Sequence, residues 1–483
     1  MTVRRLRVPA ACLLLLVPVF WQPRIQSVDL PSHIYNAWLT LLVEKGQAPG
    51  LAIAPQWTNT LFDILLVELL RKFGPDAAQR IAVALAVLIF NTGLFLLLSR
   101  PRRGYPWALF PIQAMLSYGW VYQIGILNYY LAFGLACIAL SLLVEATTAR
   151  RSALAVLLLF VAFLAHALPT FWAAGIGVHC QVARRLGAKG RLLWTAFGVL
   201  VILGVVWFLR AHFASMRYPP DAMSLIGADQ IMVFQPAYAI LALALLVVWV
   251  LQLAQLLDRV HPVRALLSPL AQATFLSAVS VASVPVMIML PGYHQSLALL
   301  QERISLNSAV LILAWFSTRE VPKWLAPVGL ILATMFFAGV YRDTAWLNRV
   351  EDGITLAARQ LPKRARVVSG FRLQRWRLDP CMHQLDRACL GWCYSYGDYE
   401  PSTFQFRLRA VAENPIVMSS QKDKADLEQG HYIVKELDLP LYQLVLLNRE
   451  KLEFAAKPLA AGERVALTPL DGSPDSTPNA HKD

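Results

Sequence analysis

Residues 104–144 read GYPWALFPIQAMLSYGWVYQIGILNYYLAFGLACIALSLLV and contain no Asp, Glu, Lys or Arg. An α-helix needs about 20 apolar residues to cross the hydrocarbon core of a bilayer. This stretch of 41 residues is therefore long enough for two passes, with Gly125 and Asn128 at the turn. Across the whole chain, 57% of residues are hydrophobic and 15% are charged, whereas soluble domains have about 25% charged residues. The sequence predicts a mainly α-helical, polytopic membrane protein.

Other stretches with few charges predict about eleven membrane spans in total. Residues 152–183 are again long enough for two passes, with Pro169 at the turn. The predicted spans are 8–25, 81–99, 105–122, 127–147, 152–168, 170–183, 192–210, 235–257, 268–290, 298–317 and 324–341. They define a transmembrane module over residues 1–341.

The charges divide the chain into two regions of different character. Residues 1–341 hold 24 Lys and Arg against 11 Asp and Glu, and residues 342–483 hold 20 against 19. Alternating or β-branched stretches at 365–371, 404–409, 432–434 and 442–447 predict strands, and 354–360 predicts a helix, so residues 342–469 are expected to form a small α+β domain. Residues 470–483 are rich in Pro, Ser and Asp and predict a disordered tail.

The basic residues of the first region also predict its orientation. Sixteen of them fall in alternate loops, starting with Arg4, Arg5 and Arg7 before the first span. Because Lys and Arg are enriched in cytoplasmic loops, the N-terminus is expected in the cytoplasm, and an odd number of spans places 342–469 outside. The first apolar segment has no clear cleavage site after Phe20, so it is interpreted as an uncleaved span. The basic residues interrupt apolar runs and do not cluster, which argues against nucleic-acid binding.

The first outer loop, residues 26–80, predicts two amphipathic helices, at 31–45 and 60–73, each followed by glycine. Amphipathic helices that are too polar to span lie in the membrane interface. The loop also holds five of the carboxylates of the first region, at positions 29, 44, 63, 68 and 76. The two helices would border a surface that a lipid-linked substrate can reach.

Two carboxylates of this loop are candidates for function. Asp29 stands at the start of the first helix, and His33, four residues on, shares its helix face and is a candidate substrate contact. Asp29 could deprotonate a hydroxyl group, or it could cap the helix, because Asp is favoured at that position. For Asp63 the pattern Thr60-x-x-Asp63 favours a capping box over substrate binding.

The motifs of this loop resemble those of the GT-C superfamily of membrane glycosyltransferases. They are Val-Asp-Leu-Pro-Ser-His at 28–33, Gly-Gln-Ala-Pro-Gly at 46–50 and Trp-Thr-Asn at 57–59. The likeness is to the branch with the protein O-mannosyltransferases and the aminoarabinose transferase of lipid A. It implies a polyprenyl-phosphate sugar donor, inversion at the anomeric carbon and Asp29 as general base. Leu30 stands where the O-mannosyltransferases have a second acid, so the acceptor stays open as a glycan, a lipid or a protein.

Three further residues are candidate substrate contacts, since a phosphate leaving group needs a cation or a metal. Arg303 follows the outer loop 291–303 and is the one cation between Arg264 and Arg319; its alternative roles are an anchor with Glu302 or snorkelling to the interface. His294 lies in the same loop. His166 lies at the outer end of a span, where bonding to a neighbouring helix is the alternative. No spacing requires a metal, so no cofactor is expected, and a divalent ion is left open.

The outer region has three cysteines, Cys381, Cys389 and Cys393. Disulfides persist outside the cytoplasm, so one bridge is expected, with the pair undetermined. A Cys₃His zinc site with His383 is an alternative, although the spacing is unusual. The aromatic and acidic segment 394–402 is either an acceptor-binding loop or a surface turn.

The leading functional hypothesis is sugar transfer from a polyprenyl-phosphate donor to an extracytoplasmic acceptor, in a bacterial inner membrane with the C-terminal domain in the periplasm. A lipid or glycan transporter or flippase and a non-catalytic assembly protein are the alternatives. A transporter places polar groups near the bilayer midplane on paired broken helices. The concentration of carboxylates in one interfacial loop favours the enzyme.

Overall fold

The computed structural model describes residues 2–145 and 147–471, and for residues 2–5 it describes the backbone alone. The protein is mainly helical. Its α-helices are α1 (Thr2–Phe20), α2 (Leu30–Glu44), α3 (Leu61–Phe73), α4 (Pro75–Ser99), α5 (Phe110–Ser117), α6 (Trp120–Ile124), α7 (Leu127–Leu143), α8 (Ala149–Ala165), α9 (Ala167–Arg185), α10 (Ala188–His212), α11 (Ala222–Leu225), α12 (Tyr238–Arg259), α13 (Pro262–Leu266), α14 (Pro269–Ser283), α15 (Leu300–Phe316), α16 (Leu325–Arg359), α17 (Gln384–Cys389), α18 (Glu400–Thr403) and α19 (Gln421–Glu428).

Short 3₁₀ helices and strands complete the secondary structure. The 3₁₀ helices are Trp107–Leu109, Ala228–Ile231 and Glu436–Asp438. The strands are β1 (Leu51–Ile53), β2 (Ser215–Met216), β3 (Met287–Ile288), β4 (Arg366–Ser369), β5 (Phe371–Arg372), β6 (Tyr394–Ser395), β7 (Leu408–Ala410), β8 (Leu441–Asn448), β9 (Glu453–Leu459) and β10 (Thr468–Pro469).

The chain divides into two compact units. The first unit comprises Met1–Ile25, Gln56–Val233 and Ala237–Arg342, and the second comprises Gln26–Pro55, Phe234–Pro236 and Asp343–Asp483. One division between the units falls at Arg342. The predicted outer loop is also divided: its N-terminal part, with α2, belongs to the second unit, and α3 belongs to the first.

In the part of the chain that the structure describes, four helices are long and apolar enough to cross a membrane: Pro75–Ser99, Ala188–His212, Tyr238–Arg259 and Leu325–Arg359. Leu6–Phe20 and Leu127–Leu143 are shorter apolar helices. The total of eleven spans and their orientation stay predictions.

Two predicted spans were wrong in their extent. Residues 105–122 do not form one helix, because α5 ends at Ser117 and α6 begins after Gly119. A Cβ at Gly119 would lie 2.7 Å from the Gln230 carbonyl oxygen, so the backbones meet at the break. The span predicted at 268–290 ends at Ser283, because Pro285 follows and Met287–Ile288 pairs antiparallel with β2.

Small residues set the packing of the first unit. A Cβ at Gly93 of α4 would lie 2.4 Å from the Gly134 carbonyl oxygen of α7. Close approach at small residues is typical of helices that pack in membranes. Beside this crossing, Phe90 stacks on Tyr130 with ring centroids 4.3 Å apart. The contact between α4 and α7 fixes the position of the buried segment 127–131, which includes Asn128 and Tyr129.

The second unit combines α2 and α17–α19 with a four-stranded sheet in the order β6-β4-β8-β9. Strand β4 is parallel to β6 and β8, and β9 pairs antiparallel with β8. Its hydrophobic core contains Val368, Tyr396, Met418, Leu427, Tyr432, Val434, Leu441, Leu459 and Val465. The strands predicted at 365–371 and 442–447 are confirmed as β4, β5 and β8.

Other predictions for this region were confirmed only in part. The strand predicted at 404–409 was wrong over most of its length, because Phe404 has a φ of 61° and only Leu408–Ala410 is a strand. Residues 432–434 form only an isolated bridge, between Ile433 and Arg464. The helix predicted at 354–360 is the C-terminal part of the long helix α16.

The ends of α2 and α3 follow the sequence signals. Gly46 has a φ of 68° and Gly74 a φ of 78°, a backbone region that favours glycine. The predicted helices at 31–45 and 60–73 are thus confirmed within one residue at each end. Their place at a membrane interface stays a prediction.

A disulfide joins Cys389 and Cys393, and Cys381 is a buried free thiol. The tail predicted from residue 470 begins too early, because Leu470 is 2% exposed and the Asp471 carboxylate accepts the backbone N–H groups of Gln374 and Arg375. Residues 472–483 lie outside the described residues.

Candidate functional site

The Asp29 carboxylate does not cap helix α2. Asp29 occupies the N-cap position, but its side chain accepts no capping hydrogen bond. Its Oδ1 lies 3.9 Å from Nε2 of His383, and the side chain is 19% exposed. The capping interpretation of Asp29 was therefore wrong, and the carboxylate instead faces an imidazole of the second unit.

His383 is held in one orientation by Asp386. His383 Nδ1 donates to Asp386 Oδ2 at 3.0 Å, and Asp386 Oδ1 accepts the Ser395 hydroxyl at 2.5 Å. Burial lowers the pKa of His383, but the hydrogen bond and the charge of Asp386, followed by the charge of Asp29, raise this pKa above its ordinary value. The ring therefore favours the protonated, cationic form more than an exposed histidine does.

The buried polar side chains of helix α2 include Ser32, His33 and Asn36. The Ser32 hydroxyl donates to Asp398 Oδ1 and to Glu400 Oε1, both at 3.2 Å, and Asn36 Nδ2 donates to Asp398 Oδ1 at 3.1 Å. His33 Nδ1 lies 3.4 Å from Glu400 Oε1. Two carboxylates and one imidazole are thus held beside α2.

Asp398 is fully buried, and this changes its titration. Burial, with a further contribution from the charge of Asp386, raises the pKa of Asp398 to about 7. The six ionisable residues of this region are here called the carboxylate cluster: Asp29, His33, His383, Asp386, Asp398 and Glu400. It combines groups that can accept a proton and groups that can release one near neutral pH.

Aromatic rings border the carboxylate cluster. The Tyr399 ring lies 4.9 Å from the His383 ring, and the Phe406 ring lies 5.6 Å from Tyr399 and 6.3 Å from His33. Most side chains of 394–400 are buried, so the interpretation of 394–402 as a surface turn was wrong. Its role as an acceptor-binding loop stays a prediction.

A second polar group lies in the first unit, where it brings two predicted residues together. His166 stands between α8 and α9, and its Nε2 lies 3.2 Å from Nη1 of Arg303. The Tyr129 hydroxyl lies 2.7 Å from the Arg303 carbonyl oxygen and 2.8 Å from Asn307 Oδ1. These four residues, Tyr129, His166, Arg303 and Asn307, are here called the His166–Arg303 cluster.

Both ring nitrogens of His166 have polar neighbours. The Leu168 N–H donates to His166 Nδ1 at 3.1 Å. Arg303 Nη1, which can only donate, lies 3.2 Å from His166 Nε2. A guanidinium beside an imidazole suits the binding of an anion.

Asp63 has a structural partner. Asn128 Nδ2 donates to Asp63 Oδ2 at 2.8 Å, and Asn128 Oδ1 accepts the Phe62 N–H at 2.8 Å. Thr60 makes no capping bond and instead donates to the Leu164 carbonyl oxygen at 3.2 Å. The predicted capping box was wrong, because the Thr60 side chain makes no capping hydrogen bond and the first-turn N–H of Phe62 donates to Asn128.

The remaining predicted residue, His294, is exposed in the loop between β3 and α15. Sequence reasoning missed the roles of Asp386, Asn128 and Tyr129, and considered His383 only as a zinc ligand. Within residues 2–145 and 147–471, no group of three or more His, Cys, Asp or Glu side chains is arranged to hold a metal ion.

Comparisons of the chain with protein-family models, with curated proteins and with solved structures find no match.

Proposed function

We propose that the protein is a membrane glycosyltransferase that transfers a sugar from a polyprenyl-phosphate donor to a hydroxyl group of an extracytoplasmic acceptor, with inversion. Asp29 is the general base. The resemblance of residues 28–33 and 46–59 to GT-C enzymes supports the reaction class. The proposal includes the eleven spans, a cytoplasmic N-terminus and a periplasmic location for residues 342–469.

The proposed step moves one proton and exchanges one bond. Asp29 takes the proton of the acceptor hydroxyl as its oxygen forms a bond to the anomeric carbon. The bond between that carbon and the phosphate oxygen breaks, and the polyprenyl phosphate leaves with the electron pair. The donor and the acceptor are the two substrates, and no oxidant or reductant is needed.

The observation that carries this proposal is the geometry of Asp29. Its carboxylate is partly exposed, makes no capping bond and faces the imidazole of His383 at 3.9 Å. An N-terminal cap, the structural alternative, would have turned the carboxylate toward the first N–H groups of α2. A carboxylate beside an imidazole and within reach of solvent suits a general base.

The His166–Arg303 cluster supports the class of donor. Its guanidinium, which carries a permanent charge, suits a phosphate oxygen that gains charge as the glycosidic bond breaks. His294 and Asp63 are assigned weaker parts in substrate binding, because His294 is exposed and Asp63 is bonded to Asn128.

A second candidate function is transport of a lipid or glycan. The break between α5 and α6 favours it, since discontinuous helices form the binding sites of many transporters. Buried polar groups of α5 bond to α4: Asn91 Oδ1 of α4 accepts from Gln113 at 3.0 Å and from Ser117 at 2.8 Å.

A transfer assay on purified protein tests the proposal. A panel of polyprenyl-phosphate hexoses and pentoses is supplied with candidate acceptors, and released polyprenyl phosphate is measured. Asp29→Asn keeps the side-chain size but removes the proton acceptor, so turnover should fall by roughly 10²–10⁴ at equal abundance. Asp76→Asn, at an exposed carboxylate of the same predicted loop, is the matched control and should keep wild-type turnover. Wild-type turnover in Asp29→Asn would show that another residue is the base, and its loss in Asp63→Asn would point to that carboxylate.

A further inference from the structure

The second unit contains a histidine that the resemblance does not assign to any role. His383 lies at the start of α17, more than 300 residues after Asp29 in the sequence. We propose that His383, anchored by Asp386, is a positioning residue that forms a charge pair with Asp29 and keeps its carboxylate ionised. The role of the pair in catalysis rests on the proposed function, but the pair itself does not.

The ring of His383 has one defined orientation. Nδ1 donates to Asp386 Oδ2 at 3.0 Å, and the Ser395 hydroxyl holds the other oxygen of that carboxylate at 2.5 Å. The Tyr399 ring packs against the imidazole with centroids 4.9 Å apart. With Nδ1 engaged, Nε2 is the nitrogen that faces Asp29, at 3.9 Å from Oδ1.

The charged groups around His383 favour a cationic ring. Asp386 on its own helix and Asp29 before α2 both raise its pKa, while burial and Lys424 of α19 lower it, and the net direction is upward. Two more carboxylates interact with the ring electrostatically, Asp398 and Asp379. Carboxylates thus outnumber the single nearby lysine.

A cation at this place has a direct consequence for Asp29. An opposite charge within about 4–6 Å favours the ionised form of a carboxyl group. At 3.9 Å the interaction is electrostatic and too long for a hydrogen bond, so it stabilises the carboxylate through charge. Asp29 then stays ionised at a pH at which an isolated carboxyl in the same surroundings would begin to take a proton.

The test is a double-mutant cycle on the purified full chain, read out as Tm at pH 6 and pH 9. The variants are Asp29→Asn, His383→Gln and the double variant. The folded pKa of His383 lies above its unfolded value, so its stabilisation is complete below the unfolded pKa and is lost as the pH rises through the folded pKa. We expect a non-additive Tm loss at pH 6 that disappears at pH 9. His431→Gln, at an exposed histidine of the same unit, is the control and should add independently to Asp29→Asn at both pH values.

The proposal can be tested even if the His383→Gln variant does not fold. Asp29 is partly exposed, and Asp29→Asn alone should lower Tm at pH 6 and leave it unchanged at pH 9. Additive effects at both pH values, or a Tm loss in Asp29→Asn that does not depend on pH, would overturn the proposal.

The pH dependence of kcat/KM tests whether the charge pair acts in the reaction. In His383→Gln the acid limb of kcat/KM should move to higher pH, with kcat above that limb within a few-fold of wild type. Asp386→Asn should produce a smaller shift in the same direction, because the ring loses its anchor. A coupled pair in a protein that transfers no sugar would support the charge pair and refute the glycosyltransferase. Active transfer with an unmoved acid limb would refute the role of His383.

Discussion

Each unit of the protein contains a buried histidine, and the two differ in the group that contacts Nδ1. Asp386 accepts from Nδ1 of His383, so Nδ1 carries a proton and the ring tends toward the cation. The Leu168 N–H donates to Nδ1 of His166, and Nε2 of that ring faces the Arg303 guanidinium. The carboxylate partner thus favours a cationic His383 beside Asp29, whereas His166 lies beside a permanent cation.

The charged groups around the two histidines also differ. The carboxylate cluster holds four acids and suits proton transfer. The His166–Arg303 cluster contains a guanidinium, which suits an anion.

The largest effect on stability is expected at the buried ion pair of the second unit. Arg387 makes two hydrogen bonds to Glu351, at 2.7 and 2.6 Å, and both side chains are buried. Arg387→Met leaves Glu351 buried without this cation and should lower the free energy of unfolding by about 3–5 kcal/mol. The combined change Glu351→Leu with Arg387→Met should recover much of that loss. The measurement is denaturant unfolding in detergent.

The exposed pair of the first unit gives the matched contrast. Arg71 and Glu68 are 42% and 49% exposed, so Arg71→Ala should change the free energy of unfolding by less than about 1 kcal/mol. Equal losses in Arg387→Met and Arg71→Ala would show that burial does not distinguish these two pairs.

The next effect is on donor binding in the first unit. Hydrogen bonds to charged groups contribute about 1.5–3 kcal/mol, so Arg303→Gln should weaken polyprenyl-phosphate binding by roughly 10- to 100-fold. Arg303→Lys keeps the charge but loses the planar fork, so its affinity should fall less. Affinity is measured on protein matched for abundance, with Arg319→Gln, at an exposed arginine, as control. Unchanged affinity and turnover in Arg303→Gln would exclude the phosphate contact.

A pH dependence is expected in the second unit. Asp398 has a folded pKa raised to about 7 by burial and by Asp386, so the folded state must ionise a buried acid as the pH rises through this range. The contribution of Asp398 to the free energy of unfolding therefore falls as the pH rises from about 4 to about 7. One pKa unit corresponds to about 1.4 kcal/mol. Asp398→Asn removes the titration, so its Tm relative to wild type should rise by several degrees from pH 5 to pH 8.

Asp352→Asn serves as control for that measurement, because Asp352 is exposed. Its Tm difference from wild type should stay flat over the same pH range. A flat difference for Asp398→Asn as well would show that Asp398 titrates as an ordinary carboxyl.

The helices and the approximate place of Asp29 could be predicted because their signals are local. Apolar periodicity and the glycines at 46 and 74 predicted the ends of α2 and α3 to within one residue. The broken span at 105–122 could not be predicted, because the reason for the break at Gly119 is its contact with Gln230, more than 100 residues away.

The partners of the candidate residues were not predictable for the same reason. Asp29 contacts His383, His166 contacts Arg303, and Asp63 contacts Asn128, each across many residues of sequence. His383-x-x-Asp386 is a local spacing that a search for oriented histidines would have noted. Its pairing with Asp29 follows only from the fold.

The central claim is that this protein cleaves a polyprenyl-phosphate sugar and does not move it intact. The direct measurement uses proteoliposomes with a doubly labelled donor, one label in the sugar and one in the polyprenyl chain, together with an acceptor. The proposal predicts that the labels separate, with one polyprenyl phosphate released for each sugar transferred and with the opposite anomeric configuration in the product. Movement of both labels together to the other leaflet, with no released polyprenyl phosphate, would contradict the claim and establish a transporter.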